Sequence, residues 1–500
     1  MSVIKKFAGQ TAIYGISTVA SRVLNFFLTP IYVKVYPAGV YGIFTEMYSF
    51  ASIINALLSF GMETTFFRYL NNNQYKKEAI YNNTFIVIGF ISLLFLMLSY
   101  TFLNPIAAWL QHGRSTSLAD YETFIKLFIF ILVTDALSVV PFAKLRADGK
   151  PGRYSVLKTI NILCFIGLNL IFIFAIPYII KHDLWFANFL STWYRPSWIG
   201  YVFISNLIAS IITLILLLPE LLQLNLRPDK KLIANMFNYS WPVLVANLSF
   251  IINENSDKIF LTHLLPKNIS HIQVGIYGAC CKLAIFLSIF IQAFRLGAEP
   301  FFFNHAKEKN AGTTYALIMD YFIIAISLIF VGLVANIEIL KFFIKSQDPV
   351  QRELYWSGLK VVPILLFGYV SLGIYMNLSV WYKLSDQTKY GLYISGVGAL
   401  LTIVLNVIYI PQYGFMASAW ISLLAYTSMM VVSYLLGQKN YPIPYHIKKN
   451  MAYMGSSVVL VLLSFIVFKR NLIVGNSLFL LFILFTLYFE KNNLKKIITT

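Results

Sequence analysis

Fourteen runs of apolar residues separated by short polar connections set the limits on this chain. They fall near 11–33, 40–67, 80–103, 123–143, 155–180, 199–219, 238–263, 272–296, 313–340, 356–380, 390–410, 414–436, 450–468 and 471–489. A helix of about 20 apolar residues crosses the roughly 30 Å hydrocarbon layer of a membrane. Within lipid every backbone N–H and C=O must find a partner inside its own segment, so such runs fold as helices. The expected fold is an all-α integral membrane protein with about 14 transmembrane helices. Composition points the same way: 58% of the 500 residues are hydrophobic and 12% charged, against about 25% charged in an ordinary soluble domain. A soluble enzyme, a disordered chain and a disulfide scaffold are excluded. Cys164, Cys280 and Cys281 all lie inside apolar runs and read as packing residues.

The formal net charge is +19. In this setting the excess speaks for membrane lipids rather than nucleic acid, because most basic residues sit between apolar runs, where they set orientation and meet anionic head groups. With the N-terminus inside, 23 Lys and Arg fall on the cytoplasmic side, Arg146 and Lys158 counted among them as loop residues, and 10 fall outside. Both termini are therefore expected in the cytoplasm of a multi-pass cytoplasmic (inner) membrane protein. The outer connection 181–201 carries Trp185, Trp193, Tyr194, Trp198 and Tyr201, which suits an interfacial aromatic belt.

The sequence also repeats itself at an offset of 236. Residues 22–67 match 258–303 at twelve of 46 positions, without gaps. Tyr41-Gly42 pairs with Tyr277-Gly278, and Gly61-x-Glu63-x-x-Phe66-Phe67 pairs with Gly297-x-Glu299-x-x-Phe302-Phe303. Six expected helices separate the copies. An even number keeps both in one membrane orientation, so the repeat is parallel. This predicts two six-helix lobes, 1–225 and 226–440, facing a central cavity, with two additional transmembrane helices and a tail over 441–500. Such matched lobes are what a rocking transporter needs.

Several stretches resemble a known family. They are Gly9-Gln10-Thr11 through Ser21-Arg22, Tyr41-Gly42-Ile43-Phe44, Pro141…Leu145-Arg146-Ala147…Tyr154, and Trp241-Pro242…Asn255-Ser256-Asp257-Lys258. Val274-Gly275-Ile276-Tyr277-Gly278 and Gln292-Ala293-Phe294-Arg295…Glu299-Pro300-Phe301 continue the pattern. Over roughly residues 1–440 the chain resembles the bacterial polysaccharide (O-antigen) flippases of the multidrug/oligosaccharidyl-lipid/polysaccharide exporter superfamily. The resemblance implies transport of an undecaprenyl-diphosphate-linked oligosaccharide, such as a lipopolysaccharide precursor, from the inner to the outer leaflet. Partners would then be that lipid, the surrounding membrane lipids and other polysaccharide assembly proteins.

A lipid diphosphate calls for cations on a wet cavity wall, where opposite charges 4 Å apart gain about 4 kcal/mol at an effective dielectric of 20. Intramembrane charges face a bundle interior or a cavity, so Arg22, Lys258, Lys282 and Arg295 are the expected substrate-binding residues. Glu63 and Glu299, at equivalent repeat positions, are expected to serve a gate or lobe contact, with pairing to Arg68 or Arg295 as the plainer role. Glu254 and Asp257 lie at i, i+3 on one helix face and, with Asp135, are candidates for a coupling Na⁺ or H⁺. No cofactor is expected, and no Ser/His/Asp set, metal cluster or Gly-rich phosphate loop marks an enzyme. Rival readings are a cation-coupled small-molecule exporter, a peptidoglycan-precursor flippase, and a membrane glycan polymerase or ligase.

Overall fold

The computed structural model describes residues 24, 26–71, 75–111, 116–305, 310–385 and 387–498. Among the described residues the regular structure is helical throughout, with no strand. Eleven helices among the described residues are long and apolar enough to cross a membrane. Of the fourteen expected spans, the first lies largely outside the described residues, the sixth is the shorter helix Gly200–Leu216, and the seventh lies within Lys230–Leu264. In that last helix Glu254, Asp257 and Lys258 interrupt the apolar run.

The chain divides into two compact units, Met1–Gly275 and Ile276–Thr500. The first holds α1 (Leu28–Val35), α2 (Ala38–Ser59), α3 (Met62–Asn71), α4 (Lys77–Thr101), α5 (Leu103–Gln111), α6 (Leu118–Ala147), α7 (Pro151–Leu170), α8 (Gly200–Leu216) and α9 (Lys230–Leu264). It also takes in the first turns of α10 (Ser270–His305). Helix α7 runs on through one π turn, Ile171–Ala175, into Ile176–Lys181. Helix α8 packs on α6 and α7, α9 runs along α2, and α6 also packs on α4 and α5.

Two glycine contacts fix how closely α2 meets α10. A Cβ on Gly42 would lie 2.0 Å from the His271 carbonyl oxygen, and one on Gly275 would lie 1.9 Å from that of Ala38. The backbones therefore touch at a crossing that only hydrogen side chains allow on both sides. The α2–α3 junction passes through Phe60 and Gly61, both left-handed, at φ 47° and 65°. This bend sets Glu63 in the first turn of α3. The α6–α7 hairpin turns at Gly149, φ 64°. Pro151 then stands at the start of α7, where a missing N–H costs nothing.

The second unit contains most of α10, then α11 (Ala311–Ala335), α12 (Val362–Leu378), α13 (Lys389–Tyr413), α14 (Phe415–Asn440), α15 (Ile447–Leu462) and α16 (Leu472–Ile498). Helix α14 packs on α12 and α13, while α15 and α16 dock on α11. A buried acid anchors that docking. Asp320 of α11 meets His446 Nδ1 at 2.8 Å and Lys449 Nζ at 3.7 Å. Lys449 in turn reaches Glu490 of α16 at 2.8 Å. An intramembrane acid is costly unless paired, and here the pairing ties the last two helices to the body.

Candidate functional site

The first unit encloses a polar cavity of about 490 Å³. Helices α2, α3, α6, α7 and α8 supply most of its wall, and α9 adds Ile251. Four of its side chains are charged: Glu63, Asp135, Arg146 and Lys158. Two acids against two bases leave the wall formally neutral, which is how an apolar bundle tolerates four ionisable groups.

Each group is held by a specific neighbour. Arg146, on the last turn of α6, pairs with Glu63 across the cavity mouth. Its guanidinium also lies 4.9 Å from the Phe67 ring centre and 6.0 Å from that of Tyr154, within the reach of cation–π attraction. Lys158, two turns into α7, holds its ammonium 4.2 Å above the Phe142 ring. Asp135, midway along α6, accepts a hydrogen bond from the Ser210 hydroxyl at 2.7 Å. Around them Asn161 donates to Thr213 Oγ1 at 2.8 Å, and Asn206 donates to the Tyr48 hydroxyl at 2.8 Å. The amides and hydroxyls supply the polar lining that a hydrated head group or sugar needs. Pro141, inside α6, removes one helical hydrogen bond just where that helix borders the cavity.

The residues singled out from sequence divide among several places. Glu63 and Asp135 line this cavity. Glu63 is paired with Arg146; Arg68 instead lies 3.9 Å over the Tyr239 ring. Lys258, Glu254 and Asp257 sit together on α9, away from the cavity wall: the Lys258 ammonium donates to Asp257 Oδ1 at 2.9 Å and to the Glu254 carbonyl at 2.8 Å. In the second unit Lys282 is half-buried on α10. Arg295 lines a small cleft with Asn377 and Lys383. Glu299 falls within α10, and Arg22 lies outside the described residues.

The two cavity cations correct the loop count made from sequence. Arg146 and Lys158 are helical residues of α6 and α7 facing the cavity. The sequence signal existed for Arg146, within the Pro141…Leu145-Arg146-Ala147 stretch. For Lys158 there was none, since one Lys near the start of an apolar run reads as a flanking charge.

Residues 7–303 match the profile of the polysaccharide biosynthesis protein family. The chain belongs to that family. Residues 242–408 also match the MatE family. No curated protein matches the chain in sequence. Among solved structures, the lipid II flippase MurJ in an inward closed conformation is similar with a TM-score of 0.68 at 16% identity, covering 97% of this chain and 100% of MurJ. The Vibrio cholerae MATE transporter VcmN is similar with a TM-score of 0.59 at 14% identity, over 87% of this chain and 96% of its own. The MATE multidrug transporter DinF-BH gives 0.57 at 16% identity, over 88% and 97%. This family member thus has the fold of the multidrug/oligosaccharidyl-lipid/polysaccharide superfamily. It is a multi-pass membrane protein.

Proposed function

We propose that this chain flips an undecaprenyl-diphosphate-linked oligosaccharide, an O-antigen or similar polysaccharide precursor, from the inner to the outer leaflet of the cytoplasmic membrane. The observation that carries the reading is the polar cavity of about 490 Å³, which presents Arg146 and Lys158 inside an otherwise apolar bundle. Family membership over residues 7–303 supports it.

A diphosphate entering the cavity exchanges one partner for another. Arg146 leaves Glu63 for a phosphate oxygen, a geometry that guanidinium matches with two parallel N–H donors. Lys158, whose ammonium rests on a ring face, adds a second positive charge. The released Glu63 carboxylate then repels the diphosphate, so binding stays weak enough for release. Amides and hydroxyls at Asn161, Asn206 and Ser210 offer partners to sugar hydroxyls, while the polyprenyl tail remains in lipid. Outward movement of negative charge is favoured by about 2.3 kcal/mol per charge per 100 mV when the inside is negative.

In this reading two six-helix lobes, 1–225 and 226–440, alternate access with both termini cytoplasmic. Arg22, Lys258, Lys282 and Arg295 guide the diphosphate beyond the cavity, and Glu63 and Glu299 act at the gate. Transport of a lipid II-like precursor is the second reading, favoured by the structural overlap with MurJ along 97% of the chain; the carrier and diphosphate are shared. The test uses purified protein in liposomes with fluorescent undecaprenyl-diphosphate oligosaccharide in both leaflets and a membrane-impermeant quencher outside. Protein-dependent loss of the protected half supports the proposal. Movement of a cationic dye under an ion gradient, with the lipid immobile, replaces it with a drug exporter.

A further inference from the structure

In the second unit, cations gather where four spanning helices end. The connection 336–348 joins α11 to the span Pro349–Leu384, and residues 468–471 join the span Ile447–Val467 to α16. These connections and the helix Pro349–Ser357 carry five bases, Lys341, Lys345, Arg352, Lys469 and Arg470, against three acids, Glu338, Asp348 and Glu353. The five are half of the ten Lys and Arg expected outside, the side on which basic residues are ordinarily sparse.

Trp356 organises the cluster. Its indole Nε1 donates to the Lys341 carbonyl at 3.0 Å, which fixes the ring against that turn. The Lys341 ammonium lies 4.4 Å from the ring centre and the Arg352 guanidinium 5.4 Å from it. Phe342 meets the indole edge-on, and the Lys345 ammonium lies 5.5 Å from the Phe342 ring centre. Ring faces attract these cations and hold them near one another, but do not neutralise them. The acids neutralise them only in part. Glu338 is shared between Lys341 and Arg470. Arg352 reaches the exposed Glu353 at 3.9 Å, too far for a hydrogen bond. Asp348 caps its helix by accepting from the Val350 N–H. Lys345, which is exposed, has no acidic partner among the described residues.

We infer that this cluster binds the phosphate of an anionic phospholipid. Exposed Ile339, Phe342 and Val350 flank the cations, and exposed Val467 and Phe468 lead into Lys469 and Arg470. The ligand is therefore anionic at one end and apolar at the other. It stands at the depth where spans end, which is that of the lipid head groups. A phospholipid meets all three requirements. Its phosphate oxygens accept from Lys345 and the guanidinium of Arg352, the charge-assisted bonds that phosphate favours, and its acyl chains lie along the exposed apolar side chains. Because Arg470 belongs to the turn before α16 and Arg352 to the span that follows α11, a lipid phosphate among these cations ties the last helix pair to the body of the unit. The site stands independently of the cargo.

Full-length protein in detergent micelles is titrated with phosphatidylglycerol, phosphatidylcholine or undecaprenyl diphosphate, and bound lipid is counted by native mass spectrometry. The inference expects phosphatidylglycerol to be retained in preference to phosphatidylcholine. The double variant Lys345→Gln, Arg352→Gln weakens that retention about tenfold or more, since each cation near the surface adds to the attraction for anionic lipid. Lys345→Gln alone, at an exposed position that leaves the fold intact, weakens it several-fold. A control with the same loss of charge elsewhere, Lys230→Gln with Lys231→Gln, retains phosphatidylglycerol as wild type does. Melting in phosphatidylcholine nanodiscs checks that every variant is folded, and added phosphatidylglycerol raises the melting temperature of wild type and control but not of the double variant. Equal retention by wild type and the double variant overturns the site, and so does equal weakening in the control. Undecaprenyl diphosphate retained there in place of phosphatidylglycerol, or inorganic phosphate raising the melting temperature as phosphatidylglycerol does, overturns the phospholipid as its occupant.

Discussion

Arg146, on the last turn of α6, and Glu63, in the first turn of α3, are ion-paired at the polar cavity although 83 residues separate them. Each is the other's competitor for a diphosphate. Arg146→Ala weakens binding of undecaprenyl diphosphate at least tenfold, equivalent to about 1.4 kcal/mol. Glu63→Gln tightens it several-fold, because the guanidinium no longer has a charged partner to leave. Equilibrium binding in detergent micelles, compared across the two variants, checks both directions. Equal loss in both would assign the pair a purely structural role.

Lys158 and Asp135 balance each other's charge within the same wall. Lys158→Met removes the positive charge, lowers flipping and destabilises the fold by leaving Asp135 uncompensated. Adding Asp135→Asn, which still accepts from Ser210, restores the melting temperature but not flipping. A double-mutant cycle read by thermal melting and by the liposome assay separates the two effects.

The crossing of α2 and α10 depends on two absent Cβ atoms. Gly42→Ala and Gly275→Ala each place a methyl within 2.0 Å of a carbonyl oxygen, and each lowers stability by about 1–3 kcal/mol. Gly39→Ala, whose methyl would rest 3.8 Å from Ile272 Cγ1 in ordinary contact, changes the melting temperature little. Thermal unfolding of the three purified variants tests the contrast.

Asp120 pins the connection 182–199 to the start of α6. It accepts from both terminal nitrogens of Arg195 at 2.6 and 3.0 Å, and from Trp198 Nε1 at 2.9 Å. The hydrogen bonds that the Arg195 guanidinium donates to Asp120 are the main reason its pKa is raised above the ordinary value. Asp120→Asn costs about 1–3 kcal/mol and exposes residues 182–199 to limited proteolysis, while lipid flipping persists. Protease sensitivity unchanged from wild type would contradict this tether.

The helical membrane fold was legible because lipid demands apolar runs of helical length, and long runs such as 313–340 and 414–436 admit no other reading. Span edges were harder. Helix α9 begins at Lys230 rather than near 238, since a charged first turn carries no hydropathy signal. The cavity was half legible. Asp135 and Glu63 stood out as acids in or beside apolar runs, whereas Arg146 and Lys158 read as flanking charges until the α6–α7 hairpin folded them inward. Glu46 is a single acid within the apolar run 40–67, and nothing around it in the sequence points to a partner. Its partners, His263 and His271, lie more than 200 positions away, and only tertiary packing brings them to one carboxylate.

The most direct test of the central claim is the rate at which wild type, Arg146→Ala and Lys158→Met flip undecaprenyl-diphosphate oligosaccharide in liposomes of matched protein content. The account predicts rapid protein-dependent movement by wild type and at least a tenfold loss in each variant, with all three inserted and folded. Flipping by both variants at the wild-type rate would contradict it and remove the polar cavity from the path of the lipid.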